Sequence, residues 1–153
     1  MTLVKVNARD IIIEASDGAA TPTWAEIGGL TSVTVNASEN EETADTTDFD
    51  SDGAYEQDIM QRGATLEMEG FLKKDDATGV LDPGQAQVTT NAGQDALGVA
   101  SHAMYRFRYP VDDTWTVWDA TTTVGEQGGG NNDKTSFNAT LTRSGRSTTE
   151  AVV

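Results

Sequence analysis

Residues 31–37 set Val33 and Val35 against Ser32, Thr34 and Asn36, and residues 64–72 set Leu66, Met68 and Leu72 against Thr65, Glu67 and Glu69. A period of two is that of a strand with one face in a core and the other in water. Residues 5–15, 103–109, 114–122 and 134–143 are rich in Val, Ile, Thr and aromatics and are separated by clusters of Gly, Asp and Asn. They read as four more strands. The pattern predicts a mainly β, antiparallel chain with strands enough for a sandwich or barrel. The two alternating stretches would be the arms of one hairpin, joined by an acidic excursion over 39–58 that is far longer than an ordinary hairpin loop.

One helix is predicted over 82–101. Asp82 can cap it, Pro83 suits its first turn, and Ala86, Ala92, Ala96, Leu97 and Ala100 form a weak apolar stripe. The Gly-rich stretch 125–133 reads as a turn or loop and residues 144–153 as a polar tail, so that 1–143 form one domain.

The chain has 153 residues, 37% of them hydrophobic, enough for a single core. It has no cysteine, so disulfides and thiolate chemistry are excluded. No stretch approaches the ~18 apolar residues of a membrane-crossing helix and no leader pattern is evident, which predicts a soluble protein made in a cytoplasm without membrane partners. Acidic residues outnumber basic ones by 25 to 10, a formal charge of −15. That balance opposes a grip on nucleic-acid phosphates, but it suits a surface that DNA must slide past.

Asp48, Asp50 and Asp52 followed by Gly53 open like an EF-hand calcium loop, yet its twelfth position, which needs a bidentate carboxylate, is Ile59. Strand-like sequence also replaces the two flanking helices. The sole histidine, His102, adjoins no nucleophile motif. Nothing singles out a catalytic pair among the many carboxylates, and the loop near Gly128 lacks the Lys and hydroxyl of a phosphate cradle. No enzyme activity, metal or cofactor is expected. Arg106 and Arg108 alternate with Tyr105, Phe107 and Tyr109. In so acidic a chain, carboxylates of the same or a neighbouring subunit are their expected partners. Trp24, Trp115 and Trp118 are expected in the core or an interface, and Trp115 and Trp118 cannot share one face of a regular strand.

The order of these stretches resembles the major tail tube protein of long, non-contractile-tailed bacteriophages. The likeness rests on "TWAEIGGLTSVTVNASENEETADTTDFDSDGAYEQDIMQRGATLEMEGFL" (23–72), "LDPGQ" (81–85) and "MYRFRYP" (104–110). Within it Trp24, Ile27, Gly29, Leu30 and Thr31 open a strand, Glu42 to Ala54 form the acidic loop, and Thr65 and Leu66 begin the return strand. The resemblance implies a structural, non-enzymatic subunit folded as a flattened β-sandwich or split barrel with a helix packed at its side. Six copies would form a ring and rings would stack into a hollow tube in the virion, assembled in the host cytoplasm, through which genomic DNA passes without specific binding. Tape measure and tail terminator or tip proteins would be its other partners.

On this reading the excursion 39–58 reaches the next ring and orders on contact. Glu41, Glu42, Asp45, Asp48, Asp50 and Asp52 would supply its charge, and Phe49 and Tyr55 its apolar anchors. Lys5, Arg9, Arg62, Lys73 and Lys74 are candidate partners for its acids. Ser32, Thr34, Asn36, Thr65, Glu67 and Glu69 would face the lumen. The alternative is a calcium-binding β module of a surface or secreted protein, built on Asp48, Asp50 and Asp52.

Overall fold

A computed structural model describes residues 1–153. The strands are β1 (Ile12–Ser16), β2 (Trp24–Glu26), β3 (Leu30–Asn36), β4 (Glu42–Asp45), β5 (Gln57–Gln61), β6 (Thr65–Phe71), β7 (His102–Arg108), β8 (Thr114–Val124), β9 (Ser136–Arg143) and β10 (Thr148–Ala151). A single helix, α1 (Pro83–Asn91), interrupts them between β6 and β7. Eight strands make one antiparallel sheet in the order β2-β1-β7-β8-β9-β6-β3, with β10 also paired to β8. The excursion forms a separate two-stranded ribbon of β4 and β5. The architecture is mainly β and sandwich-like, as the alternation predicts.

The inner face collects Ile13 and Ala15 of β1, Tyr105 and Phe107 of β7, Trp118 and Ala120 of β8, Phe137, Ala139 and Leu141 of β9, and Leu66 and Met68 of β6, all in one buried cluster. Val33 and Val35 pack against its edge. Both ends of the sheet thus bury the same side, which closes the sandwich without a second sheet.

The sequence "LDPGQ" locks α1 onto this sheet. The Asp82 carboxylate accepts the Gln85 N–H at 3.2 Å and the Gly28 N–H at 3.1 Å, so it caps the helix and ties down the β2–β3 link together. Pro83 occupies the first turn, where its missing N–H costs nothing. At Gly84 a Cβ would stand 2.2 Å from the Glu26 carbonyl oxygen, so only glycine permits this approach of helix to strand. Gln85 is fully buried. Its Oε1 accepts the Lys73 N–H at 3.0 Å, and its Nε2 donates to the carbonyls of Gly28 and Phe71 at 2.9 and 2.8 Å.

The helix ends at Asn91, ten residues before the predicted 101. Thr89 and Thr90 turn their hydroxyls back onto the Gln85 and Ala86 carbonyls, and Gly93 follows, a combination that weakens further helix. The first strand also starts later than predicted. Residues 8–10 form a 3₁₀ turn, and Leu3, Val4 and Val6 before it are exposed and pair with no strand of this chain. Residues 144–153 are not simply a tail, because β10 pairs with β8 from Thr148↔Val117 to Ala151↔Thr114.

Candidate assembly surfaces

Two surfaces gather the residues singled out in the sequence. The first is the acidic ribbon. Thr43, Ala44 and Asp45 of β4 pair with Ile59, Asp58 and Gln57 of β5, so the excursion is a hairpin within the isolated chain rather than a segment that awaits a partner. Its turn is stitched by short side chains. Glu56 N–H donates to Thr47 Oγ1 at 2.9 Å, Asp48 N–H donates to Ser51 Oγ at 3.0 Å, and Ser51 Oγ donates to Glu56 at 2.7 Å. The Asp48 carboxylate accepts the Asp50 N–H, and Asp52 takes the left-handed conformation at φ 54° before Gly53 at φ 81°. Phe49 lies wholly in solvent at the tip, with Tyr55 and Met60 also exposed along the ribbon.

Asp48 is spent on capping the turn, and nowhere do three His, Cys, Asp or Glu side chains converge as metal ligands. Ile59, the residue at the missing bidentate position, lies in β5 opposite Thr43 of β4.

At the root of the turn, the Thr47 N–H and then the Thr47 hydroxyl hold the Asp45 carboxyl below its ordinary 3.8. A depressed carboxyl pKa favours the folded turn above pH 3.8, and that contribution is lost as pH falls through the folded value. A carboxyl titration followed by NMR is expected to give Asp45 a midpoint below 3.8, and Thr47→Val is expected to return it toward that value.

The second surface is the outer face of β3, β6, β9 and the end of β8. Register sets Ser32 beside Glu69 and Glu69 beside Asn138. The next row runs Thr34, Glu67, Thr140 and Thr123, and the third runs Asn36, Thr65, Thr142 and Thr121. The face is an unbroken field of hydroxyls, amides and two carboxylates, and no basic residue stands in these rows. Ser32, Thr34, Asn36, Glu67 and Glu69 are exposed. Thr65 shares their side but is buried in the single chain, standing between strands on both sides.

Solved assemblies contain chains of this fold. One belongs to the virion of a native gene transfer agent particle, with a TM-score of 0.64 and 18% identity over 95% of this chain and 98% of that one. Another belongs to the tail of an empty gene transfer agent particle refined with C6 symmetry, with a TM-score of 0.66 and 19% identity over 95% and 98%. A third belongs to the six-fold symmetrised baseplate of the anti-feeding prophage, with a TM-score of 0.58 and 11% identity over 99% and 98%. No protein-family profile matches the sequence, and no curated protein is similar to it. At these identities the likeness is one of fold.

Farther along the same outer side, the strand "MYRFRYP" builds a cation cluster. Arg106 donates from Nε to Glu14 at 2.6 Å and from a terminal nitrogen to Glu150 at 3.1 Å. Its guanidinium lies 4.5 Å from the Trp24 ring centre and 4.3 Å from that of Trp115, a stacking that suits the flat, weakly hydrated arginine head. Trp118 instead faces the core, edge-on to Phe107, so the two tryptophans divide between the faces as strand geometry requires. His102 meets only Asp119 across the strand pair, and both are partly exposed.

Sequence reasoning named six residues of the polar face but missed Asn138, Thr140, Thr142, Thr121 and Thr123. Their stretches show alternation too; what assigns them to this face is the pairing of β6 with β9 and of β9 with β8. The lock residue Gln85 was also missed, although it stands inside the quoted "LDPGQ".

Proposed function

We propose that this chain is the structural subunit of a phage-type tail tube, with six copies in a ring and rings stacked around a bore that conducts DNA. The carrying observation is the four-strand field centred on Glu67 and Glu69, on a fold similar to that of a chain in a C6-symmetric tail. Such a wall offers phosphate no cation and repels it at short range, so DNA passes without sticking.

A sheet with open outer strands is an association hazard, and closure into a ring removes it by pairing each edge with a neighbour. Here β2 and β3 are the outer strands. Six chains of −15 carry six times −15, or −90, per ring. Contacts between copies must therefore be apolar or pair acids with bases. The exposed Phe49 and Tyr55 of the ribbon are apolar anchors for the adjacent ring, with Glu41, Glu42, Asp45, Asp48, Asp50 and Asp52 around them.

Negative-stain microscopy of concentrated protein tests this reading. Hollow tubes or six-fold rings are expected, and a monodisperse monomer at every concentration would overturn it. Phe49→Ser with Tyr55→Ser is expected to leave a folded monomer that no longer polymerises, since both side chains lie outside the core. Tubes of normal length from that variant would remove the ribbon from the assembly contact.

A further inference from the structure

The base of the acidic ribbon has chemistry opposite to its tip. Between the end of β5 and the β9–β10 connection lies an open cavity of about 870 Å³, lined by Arg62, Arg143 and Arg146 together with Ile59 and Met60. Three of the chain's ten basic residues converge there, in a molecule whose formal charge is −15. Their own carboxylates do not neutralise them. Arg62 has one loose partner, Glu41 at 3.5 Å, and its side chain is 67% exposed. Arg143 rests 5.9 Å from the Trp118 ring centre, and its Nε is shielded from solvent with no hydrogen-bond partner. Three guanidinium groups with a single loose carboxylate between them leave the open cavity able to take carboxylates from outside.

We propose that this cavity receives the acidic tip of the ribbon from a second copy of the chain. The inference rests on the tail-tube reading above and deepens it by naming the receiving site. The tip presents Asp50 and Asp52 beside a fully exposed Phe49, and the cavity presents three guanidinium groups beside Met60, itself largely exposed. Charge meets charge and apolar surface meets apolar surface.

A chain cannot satisfy itself in this way. The tip lies beyond the start of β5 while the cavity is lined from Ile59 to its end, and the pairing with β4 keeps the ribbon from folding back. A tip-to-base contact between copies is heterologous, so each junction leaves one free tip and one free base, and addition continues. Nucleic-acid phosphate has the same affinity for arginine, but the carboxylates of the remaining chain oppose its approach.

The test uses two full-length variants. Arg62→Glu with Arg146→Glu reverses the cavity and leaves Arg143 on Trp118. Asp50→Lys with Asp52→Asn reverses the tip and keeps a residue at position 52 that tolerates the left-handed conformation. Each variant alone is expected to need about tenfold more protein than wild type to associate, as read by sedimentation, the scale of one lost charge contact. An equimolar mixture is expected to recover association, since each variant's tip then complements the other's cavity. The proposal is overturned if the cavity variant associates at the wild-type concentration. A mixture no better than its components would also overturn it, as would a short DNA duplex that binds wild type through Arg62 and Arg146 while assembly is untouched by their reversal. In those three outcomes tubes from wild type leave the tail reading standing. Wild type that never associates overturns both.

Discussion

Gln85→Ala is expected to lower the unfolding free energy by about 3–5 kcal/mol, the sum of three orphaned backbone groups and a small cavity. The side chain is fully buried and uses both of its polar atoms: one acceptor for the Lys73 N–H and one NH₂ shared between the Gly28 and Phe71 carbonyls. Those partners lie at the β2–β3 link, the end of β6 and the segment after it. Gln85→Glu separates the contributions, because it keeps the acceptor and the volume but removes both donors and introduces a charge. It is therefore expected to cost no less than the alanine change. Urea unfolding with an unchanged slope would read the difference as stability alone. A loss below about 1 kcal/mol for Gln85→Ala would show that water replaces the amide and that the lock is incidental.

Much of this architecture could be read from local sequence, and the exceptions share a cause. Strands 31–37 and 64–72 were expected from alternation and are found at Leu30–Asn36 and Thr65–Phe71. Their apolar residues recur at the period of the backbone itself. The ribbon strands escaped notice because Glu42–Asp45 and Gln57–Gln61 bury almost nothing; what defines them is backbone pairing and a turn of Asp, Ser and Thr hydrogen bonds. Length and acidity alone suggested a loose loop. Similarly, Thr148–Ala151 is exposed along its length and is held to β8 by pairing and by the Arg106–Glu150 contact across 44 positions, a separation that no local pattern reports.

The candidate surfaces divide in the same way. Ser32, Thr34, Asn36, Glu67 and Glu69 follow from period-two alternation, whereas the role of Thr121, Thr123, Asn138, Thr140 and Thr142 as one continuous face depends on strand order. The arginine cavity was less visible still. Arg62 is 81 positions from Arg143, and the two meet because β6, which follows Arg62, pairs antiparallel with β9, which ends at Arg143. Charge counting found the excess of acid, but spatial convergence of the few bases is a tertiary property.

On the tail-tube proposal, Glu67→Lys with Glu69→Lys is expected to turn tubes that ignore DNA into tubes that retain it. Both carboxylates are exposed, and their cross-strand neighbours are Thr34, Ser32, Thr140 and Asn138, all neutral. Lysines there meet no like charge across the strands, and the monomer is expected to keep its stability within about 0.5 kcal/mol. In the proposed six-fold ring, each substitution is repeated around the proposed bore. The wall then presents cations at every level where it had presented carboxylates. Duplex DNA should co-sediment with the variant tubes at roughly 50 mM salt and be released toward roughly 200 mM, because binding would consist of phosphate neutralisation and counterion release. The neutral pair Glu67→Gln and Glu69→Gln is expected to retain little, which separates new attraction from lost repulsion. Should the lysine tubes ignore DNA at low salt, or wild-type tubes retain it equally, the polar field lies on the outside of the assembly, and the bore is lined by another part of the sheet.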